Sequence, residues 1–294
     1  MAGDFIHWNI NGIKCKKSPN FKDKINTLSL ILENSSSTEI LNIQETHISH
    51  KEELPKALKL YEHLYSFVIT YSSNDDPYSG ILLAINKNEE IISSESVVKG
   101  RLLFIKIQNK ASKEITNIVS IYCNPSNSEK QKNLILKAKA KIMQNPGNYI
   151  ILGDFNFVTS ILDRNSNRLN SYDSETKSIW EDFENDCNVQ DSFRLTNPTR
   201  RLYTYSSKSN KKSRSRIDRV YISSSMAGRV ISSVFTTNVL SDHKIVKVKI
   251  AKSVDKGPGM WIFNDTLLKD DAYYRSIKTI IQESSSDNQS FRGI

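Results

Sequence analysis

Cysteine is scarce in this chain of 294 residues, with Cys15, Cys123 and Cys187 as the only three. They are odd in number and far apart, and no two of them form a Cys-x-x-Cys motif. This pattern predicts neither a disulfide framework nor a zinc site. We therefore expect free thiols in a reducing compartment.

Long apolar runs are also missing. The longest unbroken run covers residues 81–85, whereas a membrane-spanning helix needs roughly 20 apolar residues. Asp4, His7 and Asn9 interrupt the N-terminal segment too early for a secretory signal. We therefore expect no membrane partner. Hydrophobic residues at 38% and charged residues at 25% are typical of a globular protein with a substantial core.

The periodicity of the apolar residues predicts both strands and helices. Strands are predicted at residues 5–8, 40–43, 64–71, 81–85, 91–98, 102–107, 115–122, 149–152, 203–206, 217–222 and 245–250, and helices at 21–34, about 129–143 and near 175–186. Turn-forming residues at 74–77, 86–88 and 108–110 favour hairpins, and hence an antiparallel sheet. The order differs from the regular alternation of a doubly wound parallel sheet. It favours an α/β fold of two mixed sheets packed face to face with helices outside.

A change of composition after residue 250 marks a predicted domain boundary. Lys256-Gly257-Pro258-Gly259 is a turn-forming segment, and a polar, serine-rich stretch follows it. We place one domain at residues 1–254 and interpret residues 255–294 as a linker that leads toward a further domain.

Four short polar clusters each directly follow or precede an apolar, strand-like run. They are Trp8-Asn9-Ile10-Asn11-Gly12, Gln44-Glu45-Thr46, Gly153-Asp154-Phe155-Asn156 and Ser241-Asp242-His243. Carboxylates, carboxamides and a histidine at strand ends are the groups that a hydrolytic metal site requires. Together with the basic composition, the clusters indicate a nuclease.

Individual members of the clusters suit particular tasks. Glu45 ends a buried strand and is a candidate Mg²⁺ ligand, although a lone glutamate is also common as a surface charge. Asp154 and Asn156 have the spacing to face one cavity. There Asp154 would align or deprotonate the attacking water, and Asn156 would orient the phosphate. An Asx turn without chemistry is the alternative for this pair.

Histidine is the natural partner for a phosphate oxygen or a transferring proton near neutral pH. His243 is the candidate for this role, and Asp218 is a candidate to hold its imidazole. The other histidines lack metal-ligand spacing, so we expect structural or surface positions for them. They are His7, His47, His50 and His63.

Positive charge is concentrated in one segment. The net charge is +9, and residues 200–219 contain eight cations and a single acid. A solvated surface without function is one interpretation, and a surface for a polyanion is the other. If the segment binds a polyanion, we expect a lysine-rich hairpin to hold duplex DNA, while Thr204 and Ser215 touch the DNA backbone. The cations assigned to DNA are Lys208, Lys211, Lys212, Arg214 and Arg216.

Taken together and in this order, the four clusters resemble the exonuclease–endonuclease–phosphatase superfamily, which includes DNase I and the apurinic/apyrimidinic endonucleases. The resemblance runs from about residue 4 to residue 250. It implies a four-layer α/β sandwich of two mixed, mainly antiparallel sheets flanked by helices. It also implies Mg²⁺-dependent phosphodiester cleavage that leaves a 3′-hydroxyl, with Mn²⁺ able to substitute.

The resemblance also implies a role for each matching residue. Asn9 and Glu45 would lie at the metal, with Asp242 near it. Tyr122 would contact the phosphate, Asp154 would prepare the water, Asn156 would orient groups in the site, and His243, paired with Asp218, would bind the phosphate. DNA contacts would include Asn11 and also Asn124, because Tyr122-Cys123-Asn124-Pro125 stands where many relatives have Tyr-x-Pro-Asn.

Within the superfamily the chain is most similar to the endonuclease domain of LINE-type (non-LTR) retrotransposons. The similar features are Gln44-Glu45-Thr46-His47, Leu162-Asp163-Arg164, Tyr203-Thr204-Tyr205 before the basic hairpin, Ser215-Arg216-Ile217-Asp218, and residues 257–261, which resemble the linker toward a reverse transcriptase. This branch implies an enzyme that nicks one strand of double-stranded DNA to prime reverse transcription. It further implies a reverse transcriptase domain in the same polyprotein and a nuclear location. An abasic-site repair endonuclease, an inactive nucleic-acid-binding module and a lipid or inositol phosphatase are the alternatives.

Overall fold

The computed structural model describes residues 2–13, 20–34, 37–125, 127–166, 168–207, 213–252 and 271–287. The chain divides into two compact units, Met1–Ser253 and Val254–Ile294. The second unit contributes one described helix, Asp271–Asp287. None of the described helices has both the length and the apolar character needed to cross a membrane.

The first unit contains two six-stranded sheets and a separate two-stranded ribbon. The strands are β1 Ala2–Asn9, β2 Thr38–Gln44, β3 Tyr65–Thr70, β4 Ile81–Asn86, β5 Glu89–Val98, β6 Leu102–Asn109, β7 Ile115–Tyr122, β8 Asn148–Asp154, β9 Val189–Asp191, β10 Tyr205–Ser206, β11 Arg214–Ser215, β12 Asp218–Ser223, β13 Val230–Thr236 and β14 Ile245–Ala251. Sheet 1 has the order β13-β14-β1-β2-β4-β3, sheet 2 has the order β5-β6-β7-β8-β12-β9, and the ribbon is β10-β11. Only the neighbours β1/β2 and β7/β8 are parallel among the described pairs.

The described helices of the first unit are α1 Phe21–Glu33, α2 Lys56–Lys59, α3 Ser128–Met143, α4 Ser171–Cys187 and α5 Ser192–Thr196, with 3₁₀ turns at Lys51–Glu53, Ile161–Asp163 and Ser224–Arg229. Helices α1 and α2 cover the outer face of sheet 1, and α3 and α4 cover that of sheet 2. Helix α6, Asp271–Asp287, belongs to the second unit. In α1 the buried apolar residues Ile25, Leu28 and Leu32 recur at helical spacing and form one stripe. Helix α4 begins with a capping box between Asn170 and Asp173, which satisfies backbone N–H groups that the first turn leaves free.

Three apolar clusters separate four layers. One cluster contains residues of both sheets and lies between them. A second packs sheet 2 against α3 and α4, and a third packs sheet 1 against α1 and α2. The predicted four-layer α/β sandwich of two mixed, mainly antiparallel sheets is therefore confirmed.

The layer between the sheets changes character along the strands. Because side chains alternate across a strand, every second residue of the central strands faces this gap. On β2 these residues are Ile40, Asn42 and Gln44, and on β7 they are Ile118, Ser120 and Tyr122; the apolar ones lie in the inter-sheet cluster and the polar ones bond across the gap. The gap is therefore apolar at one end and polar at the end where the parallel strands stop.

Two predictions about elements are wrong. The turn at 86–88 does not join a hairpin, because β4 pairs with β2 and β3 in sheet 1 whereas β5 pairs with β6 in sheet 2. Turn-forming residues indicate that the chain reverses direction, but they do not determine which strand the following strand pairs with. The sequence interpretation also missed β13, whose apolar residues do not alternate with polar ones and which pairs with β14 alone at the edge of sheet 1.

Candidate active site

The predicted catalytic residues meet at one edge of the sandwich. Asn9 ends β1 opposite Gln44 of the parallel strand β2, and Tyr122 ends β7 opposite Asp154 of the parallel strand β8. Asp218 begins β12 and lies beside Asp154. Because parallel neighbours end at the same edge of a sheet, the topology places the polar strand ends of both sheets side by side.

Glu45 lies at the centre of a hydrogen-bonded group. Its Oε1 accepts from Asn9 Nδ2 at 2.7 Å and from the Tyr122 hydroxyl at 2.8 Å. The same Asn9 amide donates to Asp154 Oδ2 at 3.0 Å. Asn9 therefore joins the two carboxylates, one from each sheet, and fixes their separation.

The backbone at the site adopts uncommon conformations. Glu45 has a φ of 53°, Asn11 of 51° and Asn156 of 54°, all in the left-handed region. Asparagine tolerates this region well, whereas for a glutamate it costs on the order of 1–2 kcal/mol. Such conformations persist where surrounding contacts enforce them, and they concentrate at functional sites.

Asp154 is held from several sides. Its Oδ1 accepts from the Asn156 N–H at 2.9 Å, and its Oδ2 accepts from Asn156 Nδ2 at 3.2 Å. Its own N–H donates to Gln44 Oε1 at 2.9 Å. Gly153 precedes it with a φ of 156°, and a Cβ there would collide with the Ile121 carbonyl oxygen and crowd Gln44 Nε2. Glycine is therefore needed at position 153 because the backbone of β7 approaches it closely.

His243 and Asp218 form a buried pair. The His243 Nδ1 lies 2.9 Å from Asp218 Oδ2 and 3.1 Å from Oδ1. The other ring nitrogen, Nε2, lies 3.9 Å from Asp154 Oδ2. The two ring nitrogens of His243 therefore face different carboxylates, Nδ1 toward Asp218 and Nε2 toward Asp154.

Charge interactions in this group shift its pKa values in opposite directions. Burial, followed by repulsion from Asp218, raises the pKa of Asp154 to about 7. Burial alone would also raise the pKa of Asp218, but attraction to His243 and hydrogen bonds from two histidines outweigh it and hold that pKa well below its usual range. Burial alone would lower the pKa of His243, but the charges of Asp218 and Asp154 raise it to about 10.

Glu45 remains ionised. Burial alone would raise its pKa, but the neighbouring His47, whose Nε2 lies 3.9 Å from Oε2, the hydrogen bond from Asn9, attraction to His243 and the hydrogen bond from Tyr122 together lower it. Burial and the charges of Glu45 and Asp154 raise the pKa of Tyr122 well above its usual range. Tyr122 therefore stays protonated and donates its hydrogen bond.

Arg101 supports Tyr122 and was missed at the sequence level. Its guanidinium lies 4.3 Å from the Tyr122 ring centroid and donates to the carbonyl oxygens of Tyr122 and Cys123. Asp76 accepts from Arg101 Nε at 2.6 Å and from Nη2 at 2.9 Å. This bidentate pair and the cation–π contact fix the ring against Glu45.

Asn11 and Asp242 flank the group. The Asn11 N–H donates to Asn9 Oδ1 at 3.3 Å, and its Nδ2 lies 3.4 Å from Asp242 Oδ1. Lys24, which is buried, donates to the carbonyl oxygens of Asn11 and Gly12. The loop after β1 is therefore fastened at the rim, with the half-buried Asp242 beside it.

Two groups of oxygen and nitrogen atoms could hold a metal ion. Ligand atoms of Asp154, Asp218 and His243 all lie within 4.8 Å of one another. However, Asp218 and His243 are bonded to each other and buried. The second group is Glu45 with Asn9, where the Glu45 side chain keeps 19% of its surface exposed and is ionised. A hard divalent cation that retains water ligands fits this second, partly open group better.

The β10–β11 ribbon lies directly beside His243. Tyr205 forms a bridge with His243, the Ser206 N–H donates to the Asp242 carbonyl oxygen at 3.0 Å, and the Lys244 N–H donates to that of Thr204 at 2.7 Å. Arg214 on β11 is exposed. Lys208, Lys211 and Lys212, which were predicted to bind DNA, lie outside the described residues.

Three of the predicted DNA contacts are contradicted by burial. Thr204 is fully buried, and its hydroxyl accepts from the N–H groups of Ile217 and Asp218. Ser215 is also buried. Arg216 is 1% exposed and donates to Asp163 and Asp191. The Thr204 hydroxyl supports the start of β12, and the Arg216 charge is neutralised inside the protein, so none of the three faces solvent.

The remaining assignments stay predictions, because the structure shows positions but not roles. It brings Asn9, Glu45, Tyr122, Asp154, Asn156, Asp218 and His243 together at one edge, and it places Asn11, Asp242 and Arg214 around them. Asn124 follows Tyr122 and is half-buried, with its carbonyl oxygen accepting from Gln131 Nε2.

The sandwich and the groups at its edge are typical of hydrolases that act on phosphate esters. Residues 6–243 match the Endonuclease/Exonuclease/phosphatase family, and the chain belongs to it. The predicted superfamily, and with it an enzyme, is therefore confirmed. Over 243 residues the chain is 28% identical to the "Transposon TX1 uncharacterized 149 kDa protein" of Xenopus laevis, with 80% of this chain covered. It spans only 18% of that relative's length.

Solved structures show the same fold at low sequence identity. The AP endonuclease LMAP from Leishmania major has a TM-score of 0.68 at 18% identity, with 86% of this chain and 88% of that chain covered. The APE2 catalytic domain of Xenopus laevis has a TM-score of 0.65 at 18% identity, covering 85% and 94%. The 3′-5′ exonuclease NExo from Neisseria meningitidis has a TM-score of 0.63 at 17% identity, covering 85% and 100%.

Proposed function

We propose that this protein is a Mg²⁺-dependent DNA endonuclease that nicks one strand of a duplex and leaves a 3′-hydroxyl for reverse transcription. The convergence of Asp154, Glu45 and the His243–Asp218 pair at one edge is the observation that supports this proposal most strongly. Hydrolysis of a phosphodiester requires a base for water, stabilisation of charge on phosphate and help for the leaving oxygen.

The metal would be held by Glu45 and Asn9, with Asp242 at the rim of the site. Their oxygen atoms are the ligands that Mg²⁺ prefers, and the partly open position leaves room for its waters. When bound, Mg²⁺ would neutralise charge on the phosphate and on the departing oxygen. Mn²⁺, which accepts similar oxygen ligands, would be able to substitute.

The protein side chains supply the other requirements. Asp154, with a pKa raised to about 7, suits proton acceptance from an attacking water near neutral pH. Two hydrogen bonds from Asn156 fix the orientation of the Asp154 carboxylate. The His243 imidazolium, oriented by Asp218, would donate to a phosphate oxygen, and Tyr122 would keep Glu45 in place through its 2.8 Å hydrogen bond.

The substrate proposal rests on the ribbon and on the transposon relative. The exposed Arg214 lies on a ribbon bonded to the segment around His243, so backbone phosphates held there would lie next to the reacting group. The matched relative is a transposon protein. We infer from this that the chain acts on chromosomal DNA in the nucleus, within a polyprotein that also carries a reverse transcriptase domain.

A plasmid-nicking experiment tests the proposal. With Mg²⁺ the wild-type protein should convert supercoiled plasmid to the nicked form, and a DNA polymerase should extend the nicks without prior phosphatase treatment. Asp154→Asn should lower the nicking rate at least about a hundredfold, because general-base catalysis contributes on the order of 10²–10⁴. Asp182→Asn, at an exposed position on α4, is the matched control. Equal nicking by Asp154→Asn and wild type would overturn the assignment.

A repair endonuclease for abasic sites is the second candidate. It is favoured by the fold that the chain shares with AP endonucleases. The two functions separate on matched duplexes, one intact and rich in A·T pairs, the other identical except for a single abasic analogue. Faster cleavage of the intact duplex supports the retrotransposon function, whereas cleavage confined to the abasic duplex supports repair.

A further inference from the structure

Four buried polar side chains connect the two sheets behind the active site. They are His7 on β1, Asn42 and Gln44 on β2, and Ser120 on β7, and each is fully buried. Together they link the backbone of Asp154 to the carboxylate of Asp218 through hydrogen bonds. We call this set the inter-sheet polar chain.

The direction of each hydrogen bond follows from its first member. A backbone N–H can only donate, so the Asp154 N–H, 2.9 Å from Gln44 Oε1, fixes that atom as the acceptor. The other amide atom, Gln44 Nε2, therefore donates, to Ser120 Oγ at 2.9 Å and to the Ile121 carbonyl oxygen at 3.0 Å. Both hydrogens of the Gln44 amide are used, and the side chain has one possible orientation.

The same reasoning continues to the histidine. Since Ser120 Oγ accepts from Gln44, its hydrogen is free to donate to Asn42 Oδ1 at 2.8 Å. Asn42 Nδ2 then donates to the Leu152 carbonyl oxygen at 3.4 Å and to His7 Nδ1 at 3.1 Å. His7 Nδ1 must therefore be unprotonated, which leaves the proton on Nε2. That N–H donates to Asp218 Oδ1 at 3.0 Å.

We propose that His7 is a positioning residue for the reaction, locked by the inter-sheet polar chain in its Nε2–H tautomer so that it fixes the carboxylate of Asp218. Two imidazoles bond the Asp218 carboxylate: His7 Nε2 donates to Oδ1 at 3.0 Å, and His243 Nδ1 lies 2.9 Å from Oδ2 and 3.1 Å from Oδ1. With one oxygen held by a fully buried ring, the carboxylate cannot rotate about its Cβ–Cγ bond. Through this carboxylate, the more deeply buried His7 fixes the direction in which the His243 imidazole faces the reacting phosphate.

An apolar residue at position 7 would fill space but would not reproduce this effect. The neighbouring gap-facing residue on the same strand, Phe5, packs against the apolar inter-sheet cluster, so this layer accommodates apolar side chains. A leucine at position 7 would leave Asn42 Nδ2 and Asp218 Oδ1 each without their histidine partner. His7→Gln is the conservative variant, because its terminal amide nitrogen can take the place of Nε2 and donate to Asp218.

The tautomer can be measured without metal or DNA. In ¹⁵N-histidine-labelled, metal-free protein, the ring signals of His7 are identified by their loss in His7→Gln. We expect the chemical shift of an unprotonated nitrogen at Nδ1 and of a protonated nitrogen at Nε2. A protonated Nδ1, whether in the other tautomer or in the imidazolium, would overturn the proposal. This measurement does not depend on the proposed function.

Kinetics test the consequence, and this part rests on the proposed nicking activity. His7→Leu should lower kcat for plasmid nicking at least about tenfold while KM changes less than about twofold, since orientation matters for the reacting state and not for DNA binding. His7→Gln should recover most of kcat and keep the wild-type ring shifts of His243. Ile118→Val on the same inter-sheet face is the control for loss of packing, and it should leave kcat unchanged.

The outcomes separate the two proposals. If the wild type does not nick DNA, the proposed function fails, and the ring shifts still decide whether His7 is locked. If His7→Leu folds and nicks DNA at the wild-type rate, His7 is not a positioning residue. If His7→Leu does not fold, the test rests on His7→Gln, for which a kcat as low as that of Asp154→Asn would contradict the proposal.

Discussion

At the scale of single residues, identical side chains have different roles because their neighbours differ. His7 and His243 both bond Asp218, yet the other ring nitrogen of His7 accepts from the Asn42 amide whereas that of His243 faces Asp154. Glu45 differs from an ordinary surface glutamate through its left-handed backbone and its two donors, Asn9 and Tyr122. These surroundings hold its charge in one place, which is what a metal ligand requires.

Glu45→Gln should weaken the binding of the metal ion that the proposed nicking requires. Glutamine keeps the size of the side chain and an oxygen for Asn9 and Tyr122, but it removes the negative charge that attracts a divalent ion. We expect the Mg²⁺ concentration for half-maximal plasmid nicking to rise at least about tenfold. A Mg²⁺ titration measures this, with Glu181→Gln at an exposed site as the control. An unchanged midpoint would show that Glu45 is not a ligand.

At the scale of elements, an ion-pair group holds the segments around the site in position. Asp163, in the 3₁₀ turn Ile161–Asp163, accepts from Arg216 Nε at 2.7 Å and Nη2 at 2.8 Å and also pairs with Arg194 on α5. Arg216 in turn donates to Asp191 on β9 at 2.6 Å. The group therefore joins the loop after β8, helix α5 and the approach to β12, where Asp218 begins.

Asp163→Asn should destabilise the protein by about 3 kcal/mol or more, because it leaves buried cationic charge with one partner fewer. Burial alone would raise the pKa of Asp163, but attraction to Arg216 outweighs it and lowers that pKa. A carboxyl with a lowered pKa in the folded state stabilises the fold above its unfolded pKa, about 3.9. That contribution is lost as the pH falls through the lower folded value.

Urea unfolding from pH 7 down to pH 3 checks both parts of this prediction. The free energy of unfolding of the wild type should exceed that of Asp163→Asn by a constant amount at neutral pH, and the difference should shrink below about pH 4. Asp186→Asn, an exposed residue on α4, should show a small and nearly constant difference. A gap that grows on acidification would mean that the pKa of Asp163 is raised instead.

At the scale of the whole molecule, the net charge of +9 does not translate directly into a DNA surface. Two of the eight cations in residues 200–219, Arg216 and Arg219, are buried. Arg219 stacks within 4.4 Å of the Phe155 ring centroid and within 4.7 Å of that of Phe157, so it serves the core under sheet 2. The positive charge that this segment exposes at the surface is therefore smaller than the sequence suggests.

Arg214→Ala should weaken DNA binding and lower its salt dependence. Removing one phosphate contact reduces the slope of log K against log salt by about one. Fluorescence anisotropy with a labelled duplex between about 50 and 200 mM salt measures this slope. Lys137→Ala, an exposed position on α3, should leave the slope unchanged. Equal slopes for Arg214→Ala and the wild type would exclude a phosphate contact at Arg214.

The sequence predicted what depends on local pattern. Strand-like runs that lead to Glu45 and Asp154, or follow His243, lie next to their chemical groups in the chain, so the type and position of these groups can be recognised from the sequence. Arg216 was misassigned because its charge is visible but its partner Asp163 lies 53 residues away. Arg101 was missed for the same reason, since Asp76 is 25 residues distant.

His7 and Gln44 belong to a signal that was present but was not used. On β1, β2 and β7 the gap-facing positions turn from apolar to polar two residues before each strand ends. The change from apolar to polar residues identifies the part of the site that lies between the sheets, whereas the sequence motifs identify only its rim. Reading alternate residues backward from each motif would have identified His7, Asn42 and Ser120 as candidates.

The polar end of the inter-sheet layer also ties cleavage to correct strand pairing. Since neighbouring residues of a strand point to opposite faces, a slip of β1 by one position would bring Trp8 into the gap and turn His7 toward α1. Such a misfolded molecule would lose its oriented histidine and its hold on Glu45 together. For the proposed endonuclease this means that activity would arise only after all the central strands have found their proper partners.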